Sequence, residues 1–410
     1  MAMKDTAFRD SALSEREKKN INVIDVLRKR GPLSRTDIAR YTGMNIVTTS
    51  HYVNNYIKNS IVHERGYNIS TGGRKPMLVE LNKKAFCVIG VDVAHAHIIG
   101  VITDLGAEVL AKVKRPRPAG MMDDVMTKVI DVVKELIEKS KVDMSKVKGI
   151  GVGLSGVIDM SSETVRDTDH TRGATSASYS AIRGRLGKEF NVPTYVGNDA
   201  TVAAYGERWL GLDNDVENMI YIYSDVGCGI IIKGDIYCGA SGSAGEVQLN
   251  LDNPDLDRFT CFMKGPCFLK PWGDVDSGIS KEAKRRVREG FATKISELAK
   301  GNVDNITTQV VIKAAKSGDA LALELIENAG INLGIRIAYF INLLNPEIVV
   351  IGGGIEEAGD YLLTKVKKVV KGFAFEEPSS LVKILPSRLG EDAVSLGAAL
   401  LVMREVFATI

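Results

Sequence analysis

Twice along this chain a group of short apolar strands ends at a glycine or a carboxylate and gives way to a helix, and this repetition restricts the fold most. The first round opens with Phe86-Cys-Val-Ile-Gly-Val-Asp92, a buried strand. Ile98–Asp104 and Val109–Lys112 follow as antiparallel strands across Leu105-Gly106. Met121–Lys139 then reads as a helix, because Val125, Val129, Val132, Val133 and Leu136 recur at helical spacing. A further strand, Val147–Leu154, ends at Ser155-Gly156. In the second round Asn191–Val196 leads into Gly197-Asn198-Asp199-Ala200 and a helix over Thr201–Trp209. Strands Met219–Tyr223 and Gly229–Lys233 come next, around Asp225-Val226-Gly227-Cys228. Strand-rich openings followed by helices in both halves predict two α/β lobes with a ligand cleft at the strand ends.

Residues 1–85 are of a different kind. They hold 16 Lys or Arg against 8 Asp or Glu, an excess of +8, so the remainder carries −6 to give the whole-chain +2. A basic module on a mildly acidic body fits a nucleic-acid anchor, and a solvated basic face is the bland alternative. Helices are expected over Glu15–Arg30, after the N-cap Ser34, and from the N-cap Asn45 to about Lys58. In the third of these, Ile46, Val53 and Ile57 are expected to face inward. Asn45, Thr48, Thr49, Ser50, His51, Asn54 and Asn55 would offer short hydrogen-bonding groups to base edges, and Tyr52 and Tyr56 are either core or phosphate contacts. Ile61–Glu64 and Met77–Leu81 read as strands around a loop ending Ser70-Thr-Gly-Gly-Arg74-Lys75-Pro76. Such a wing would lay Arg74 and Lys75 against phosphate or a minor groove, with Ser34 and Arg35 contributing from the second helix.

The 410 residues exceed what one hydrophobic core usually holds, so two or three domains are expected. No early apolar run suits a membrane span or secretory leader, which predicts a cytoplasmic location and no membrane partner. Five scattered cysteines do not make a disulfide framework.

Three motifs carry a resemblance over nearly the whole chain: Asn198-Asp199-Ala200, Gly239-x-x-Gly242-x-Ala244-Gly245-Glu246, and Ile351-Gly352-Gly353-Gly354. With the Gly72-Gly73-Arg74-Lys75-Pro76 junction, they resemble the ROK family of bacterial repressors and sugar kinases, in its xylose-repressor-like branch. The resemblance implies an N-terminal winged helix-turn-helix followed by an actin-like (hexokinase-like, ribonuclease H-like) two-lobed body. The expected boundaries are 1–82 for the DNA-binding domain, 83–197 and 198–380 for the lobes, and 381–410 for a C-terminal helix returning to the first lobe. It also implies a sugar site of Ser155, Gly156, Asn198, Asp199 and Glu246, with Asp199 the general base in a kinase. Asn198-Asp199 also suits a plain N-cap. Nucleotide contacts, if retained, would come from Asp92, Gly227, Gly229, Gly352, Gly353 and Gly354.

Departures from the family pattern weigh against catalysis. The Gly-Gly-Thr-like phosphate turn after the first-strand aspartate is replaced by Val93-Ala94-His95-Ala96-His97, and Asp225 brings a negative charge to the second loop. Gln248 stands near the position where family members with structural zinc carry a ligand histidine, and only Cys261 and Cys267 remain of the three thiolates, so no metal is expected. Lys270 falls where a glutamate is usual, which leaves an altered sugar, an acidic derivative or no ligand. His95 and His97 are expected to be structural, and His170 lies in a polar loop. The expected function is a sugar-responsive repressor, a homodimer or dimer of dimers, whose partners are operator DNA and a small carbohydrate. No cofactor is expected; ATP and magnesium belong only to the alternative of a carbohydrate kinase. A DNA-bound regulator with a vestigial cleft is a third reading.

Overall fold

A computed structural model describes residues 14–67, 76–119, 122–166, 176–212, 216–223, 227–247 and 275–408. The chain divides into two compact units, Met1–Val202 with Val394–Ile410, and Ala203–Ala393.

The first unit begins with three helices and a small sheet. Helix α1 (Glu15–Arg30) starts in a capping box, in which Ser14 and Glu17 satisfy each other's backbone amides, and Arg28, Lys29 and Arg30 complement its negative end. Strand β1 (Leu33–Ser34) leads into α2 (Arg35–Thr42), capped by Ser34. Gly43, at φ 69°, ends α2, and Asn45 caps α3 (Ile46–Lys58). Strands β2 (Val62–Tyr67) and β3 (Met77–Leu81) pair antiparallel, with β1 on the far side of β3. Val23, Ile24, Leu27, Ile38, Val53, Tyr56 and Val79 are buried in this head.

The body of the first unit is a five-stranded sheet in the order β11-β7-β4-β5-β6. Strands β4 (Cys87–Val93), β5 (His97–Asp104) and β6 (Val109–Pro116) form an antiparallel meander, to which β7 (Val147–Leu154) and β11 (Thr194–Asn198) add in parallel. Helix α4 (Met122–Ser140) follows the meander. A small antiparallel sheet of β8 (Val157–Asp159), β9 (Thr164–Arg166) and β10 (Ser176–Ser178) precedes α5 (Tyr179–Phe190). Ile89, Val91 and Val93 of β4 share one core with Val125, Val129 and Leu136 of α4. The opposite face carries the last helix of the chain. A Cβ added to Gly90 would lie 1.9 Å from the Ser395 carbonyl oxygen, and one on Gly151 would lie 2.2 Å from that of Ala398. Those two glycines let a helix backbone rest directly on the sheet.

The chain passes to the second unit within α6 (Asp199–Gly206), which runs on into a π-helical turn, Glu207–Gly211. There the strand plan repeats. Strands β12 (Met219–Tyr223), β13 (Gly227–Ile232) and β14 (Asp235–Ile236) form the meander. After α7 (Val275–Arg288), α8 (Lys294–Leu298), α9 (Thr308–Lys316) and α10 (Ala320–Leu344), β15 (Ile348–Gly352) joins β12 in parallel. Helices α11 (Asp360–Phe373) and α12 (Glu376–Leu381) precede β16 (Lys383–Pro386), parallel to β15. The order β16-β15-β12-β13-β14 therefore matches β11-β7-β4-β5-β6 strand for strand. Helix α13 (Ala393–Ala408) closes the chain on the first unit. No helix among the described residues is long and apolar enough to cross a membrane.

Candidate functional site

Helix α3 presents two chemically different faces. Thr49, Tyr52, Val53 and Tyr56 point into the head, while Asn45, Ile46, Val47, His51 and Asn54 are exposed and Thr48 and Ser50 are half-buried. The structure corrects two expected DNA contacts. Thr49 is fully buried and its hydroxyl donates to the Asn45 carbonyl at 3.0 Å, which leaves it no reach to a base. Ser34 is buried as well, its hydroxyl spent on Asp37 in capping α2. Ile46, expected inside, is exposed, because the capping turn sets it outside the stripe of Thr49, Val53 and Tyr56. Both tyrosines are core residues. Arg35 contacts Asn54 at 3.1 Å and Glu64 at 3.2 Å, which brings α2, α3 and β2 together. Val47, 76% exposed, is an apolar side chain on this polar face that residue type alone did not single out. Arg74 and Lys75 lie outside the described residues.

In the body of the first unit, two parallel strands end side by side and deliver four of the expected sugar residues. Asn198 pairs with Leu154 in the register of β11 on β7, so Ser155, Gly156, Asn198 and Asp199 converge. Gly156 has φ 127°, and a Cβ there would come within 2.4 Å of the Arg166 carbonyl oxygen, so only glycine makes this turn. Asn198 donates to the Gly156 carbonyl at 3.1 Å and accepts from the Thr201 amide at 3.1 Å, capping α6 while pinning the turn. Asp199 accepts from the Ser155 hydroxyl at 2.6 Å and from the Ala200 amide at 2.8 Å. Its side chain is almost wholly buried. Burial pushes its carboxyl above the ordinary range, against the pull of the Ser155 and Ala200 hydrogen bonds and of the His95 charge. Such a group can accept a hydrogen bond or a proton from a sugar hydroxyl.

Asp92 lies buried near the end of β4, with His97 Nε2 3.8 Å from its Oδ2. The following turn closes through an Ala94 amide bond to the His97 carbonyl at 3.0 Å, and His95 is exposed on it.

The remaining expected residues belong to the second unit. Gly227 and Gly352 are both register partners of Tyr223, on either side of β12, so the two glycine-bearing strands meet at one row, with Gly229 two residues along β13. Glu246 bridges to Gly227 and is half-buried. The preceding turn presses on β13: a Cβ on Gly245 would lie 1.8 Å from the Cys228 carbonyl oxygen. Burial, and then the Glu246 charge, pushes the Cys228 thiol up to about 12. Gly353 and Gly354 adopt positive φ and open a short turn in which the Gly354 amide donates to Glu356 Oε2 at 2.7 Å. Glu356 is buried, and burial raises its pKa to about 7, with the Glu357 and Glu207 charges adding to the rise and its backbone hydrogen bonds opposing it. An amide that a phosphate could use is thus already held by the chain's own carboxyl. This occupied amide was missed from sequence; an acidic residue two positions past the glycine run was its only sign.

Among the described residues no group of His, Cys, Asp and Glu could hold a metal ion. Gln248, Cys261, Cys267, Lys270, His170 and Asp225 lie outside the described residues. A model of the ROK family matches residues 88–405. The chain belongs to the ROK family. Its similarity extends forward of that match: the xylose repressor of Caldicellulosiruptor bescii is 29% identical over 384 residues, 92% of this chain and 93% of that one. This shared span is longer than the stretch from residue 88 to the end, so it includes part of the head. Among solved structures, a ROK-family transcriptional regulator described as a homolog of the Escherichia coli MLC protein aligns with TM-score 0.73 at 22% identity, covering 96% of this chain and 97% of its own. A ROK-family glucokinase from Streptomyces griseus, solved with glucose and AMPPNP, aligns with TM-score 0.65 at 23% identity over 77% of this ROK chain and 98% of its own. The fold is therefore shared with both the regulators and the kinases of the family.

Proposed function

We propose that this ROK protein is a sugar-responsive transcriptional repressor of carbohydrate-utilisation genes, acting in the cytoplasm. The observation that carries the reading is the extended similarity to a repressor, which takes in the head where the kinase alignment covers a smaller share of the chain. The head acts as a winged helix-turn-helix: α3 enters the major groove, and the β2–β3 connection, with Arg74 and Lys75, tracks the backbone. Asn45, Thr48, Ser50, His51 and Asn54 are the candidate base-edge residues, with Val47 suited to a thymine methyl. Two chains place their recognition helices on half-sites roughly 34–36 Å apart. Ser155, Gly156, Asn198 and Asp199 take the sugar, and Glu246 is a further candidate contact. To regulate, the sugar binds one of two states more tightly, and the DNA affinity shifts by the same coupling.

The kinase alternative draws on the raised Asp199 pKa and on the glucokinase fold. Against it stand the turn Ala94-His95-Ala96-His97 and the Gly354 amide bonded to Glu356. Duplex selection from a random library, followed by a panel of sugars that includes D-xylose, tests the favoured reading. Failure to prefer any duplex at moderate salt contradicts it. ATP-dependent phosphorylation of a sugar, lost in Asp199→Asn, would establish the alternative. Metal analysis of protein purified without chelator tests the absence of zinc, which one tightly held ion per chain would refute.

A further inference from the structure

We infer that Asn20 is a positioning residue that locks the recognition helix to the last helix of the body, so that the two hold one register. Asn20 lies on α1 and is 3% exposed. Its amide nitrogen donates to the Phe407 carbonyl at 2.9 Å, across 387 residues of chain. That carbonyl belongs to the final turn of α13, where main-chain oxygens have no partner inside the helix. The amide oxygen of Asn20 accepts from the Tyr56 hydroxyl, which also lies 2.8 Å from the Asn20 main-chain oxygen. Tyr56 sits on α3, is fully buried, and has its hydroxyl pKa raised by burial and then by Tyr52. One side chain thus receives a bond from the recognition helix and gives one to the body.

Apolar packing alone leaves neighbouring helices free to slide by small steps, whereas two directed bonds in a dry interior fix one register. The Phe407 ring rests on Phe86 at 5.9 Å, just before β4, which seats the same turn against the body sheet. At its other end α13 meets the sugar residues. A Cβ on Gly397 would lie 2.0 Å from the Val202 carbonyl oxygen. One on Gly153 would lie 2.3 Å from Val394 and 3.8 Å from the Asp199 Cα. A single helix, about 20 Å from Val394 to Phe407 at 1.5 Å per residue, therefore joins the surroundings of Asp199 to Asn20 and so to Tyr56. The consequence for regulation rests on the repressor reading; the lock itself does not.

Hydrogen exchange on the full-length protein tests it. Tyr56→Phe removes one bond of the lock, Asn20→Leu removes both side-chain bonds, and Val53→Ala loosens the same core without touching either. In the first two variants, amides at the end of α3 and in the last turn of α13 are expected to exchange faster together, by roughly tenfold, with α4 unchanged. Val53→Ala is expected to affect α3 and leave α13 alone. A rise confined to α3 in Tyr56→Phe, or an equal rise in α13 for Val53→Ala, overturns the inference. A second arm uses a duplex selected by the wild-type protein, titrated with and without D-xylose. Where D-xylose shifts wild-type affinity, Tyr56→Phe should retain less than about a third of that fold-change, and an undiminished shift also overturns the inference. If wild type selects no duplex, the repressor reading fails while the exchange result still decides the lock.

Discussion

At the scale of single residues, burial sets the chemistry. Asp199 keeps its proton more readily folded than unfolded, so its contribution to stability is lost as pH rises from the ordinary carboxylate range through its raised folded value. Asp199→Asn should therefore melt higher than wild type at neutral pH, by about 2–4 °C for each kcal/mol of relieved charge burial. The same variant should lose sugar binding in a thermal-shift titration; unchanged sugar affinity would remove Asp199 from the site. Glu356 behaves alike with a defined window: its contribution falls away between the ordinary 4.5 and about 7. Glu356→Gln should accordingly gain stability over wild type above pH 7 and match it below 4.5, read by urea denaturation across pH. Asn198, Asp199 and Gly156 were singled out through the family resemblance, and the pairing of β11 with β7 brings them together at the strand ends. Thr49 was misread although its position was readable: it stands one helical turn before Val53 and two before Tyr56, on the buried stripe.

At the scale of elements, caps and glycines decide what packs where. The bounds of α1 and α3 were readable because each begins at a capping residue and carries a helical apolar period, and those of β3, β7 and β12 because each is a compact apolar run between turn or polar residues. α8 and β14 were not, being five and two residues long and held by tertiary contacts instead of pattern. The spacing of Leu362, Val366, Val369 and Val370 signals α11, yet no helix was expected there. Gly90→Ala should force α13 off the sheet and lower the melting temperature, whereas the methyl added in Gly184→Ala meets open space within a helix. The latter should stabilise by about 0.5–1 kcal/mol. On the recognition helix, Val47→Ser should weaken a selected duplex by about 1 kcal/mol or more. Replacing the contacted thymine with uracil should have the same effect on wild type and none on the variant.

At the scale of the whole molecule, one strand plan appears twice, once beneath a basic head and once bearing the paired glycine strands. The repetition was visible in the sequence as two rounds of strands and helices, whereas the matched order of the two sheets depends on β15 and β16 returning beside β12 from far along the chain. No local pattern encodes that return. The account makes this ROK chain a sensor in which sugar occupancy alters the grip of the head on DNA. The most direct test is the affinity of the full-length protein for its selected duplex, measured at fixed salt against a carbohydrate panel. The account predicts a palindromic duplex bound in preference to random sequence, and one sugar that changes its Kd by about fivefold or more. A sugar that saturates the protein and leaves that Kd unchanged would contradict it.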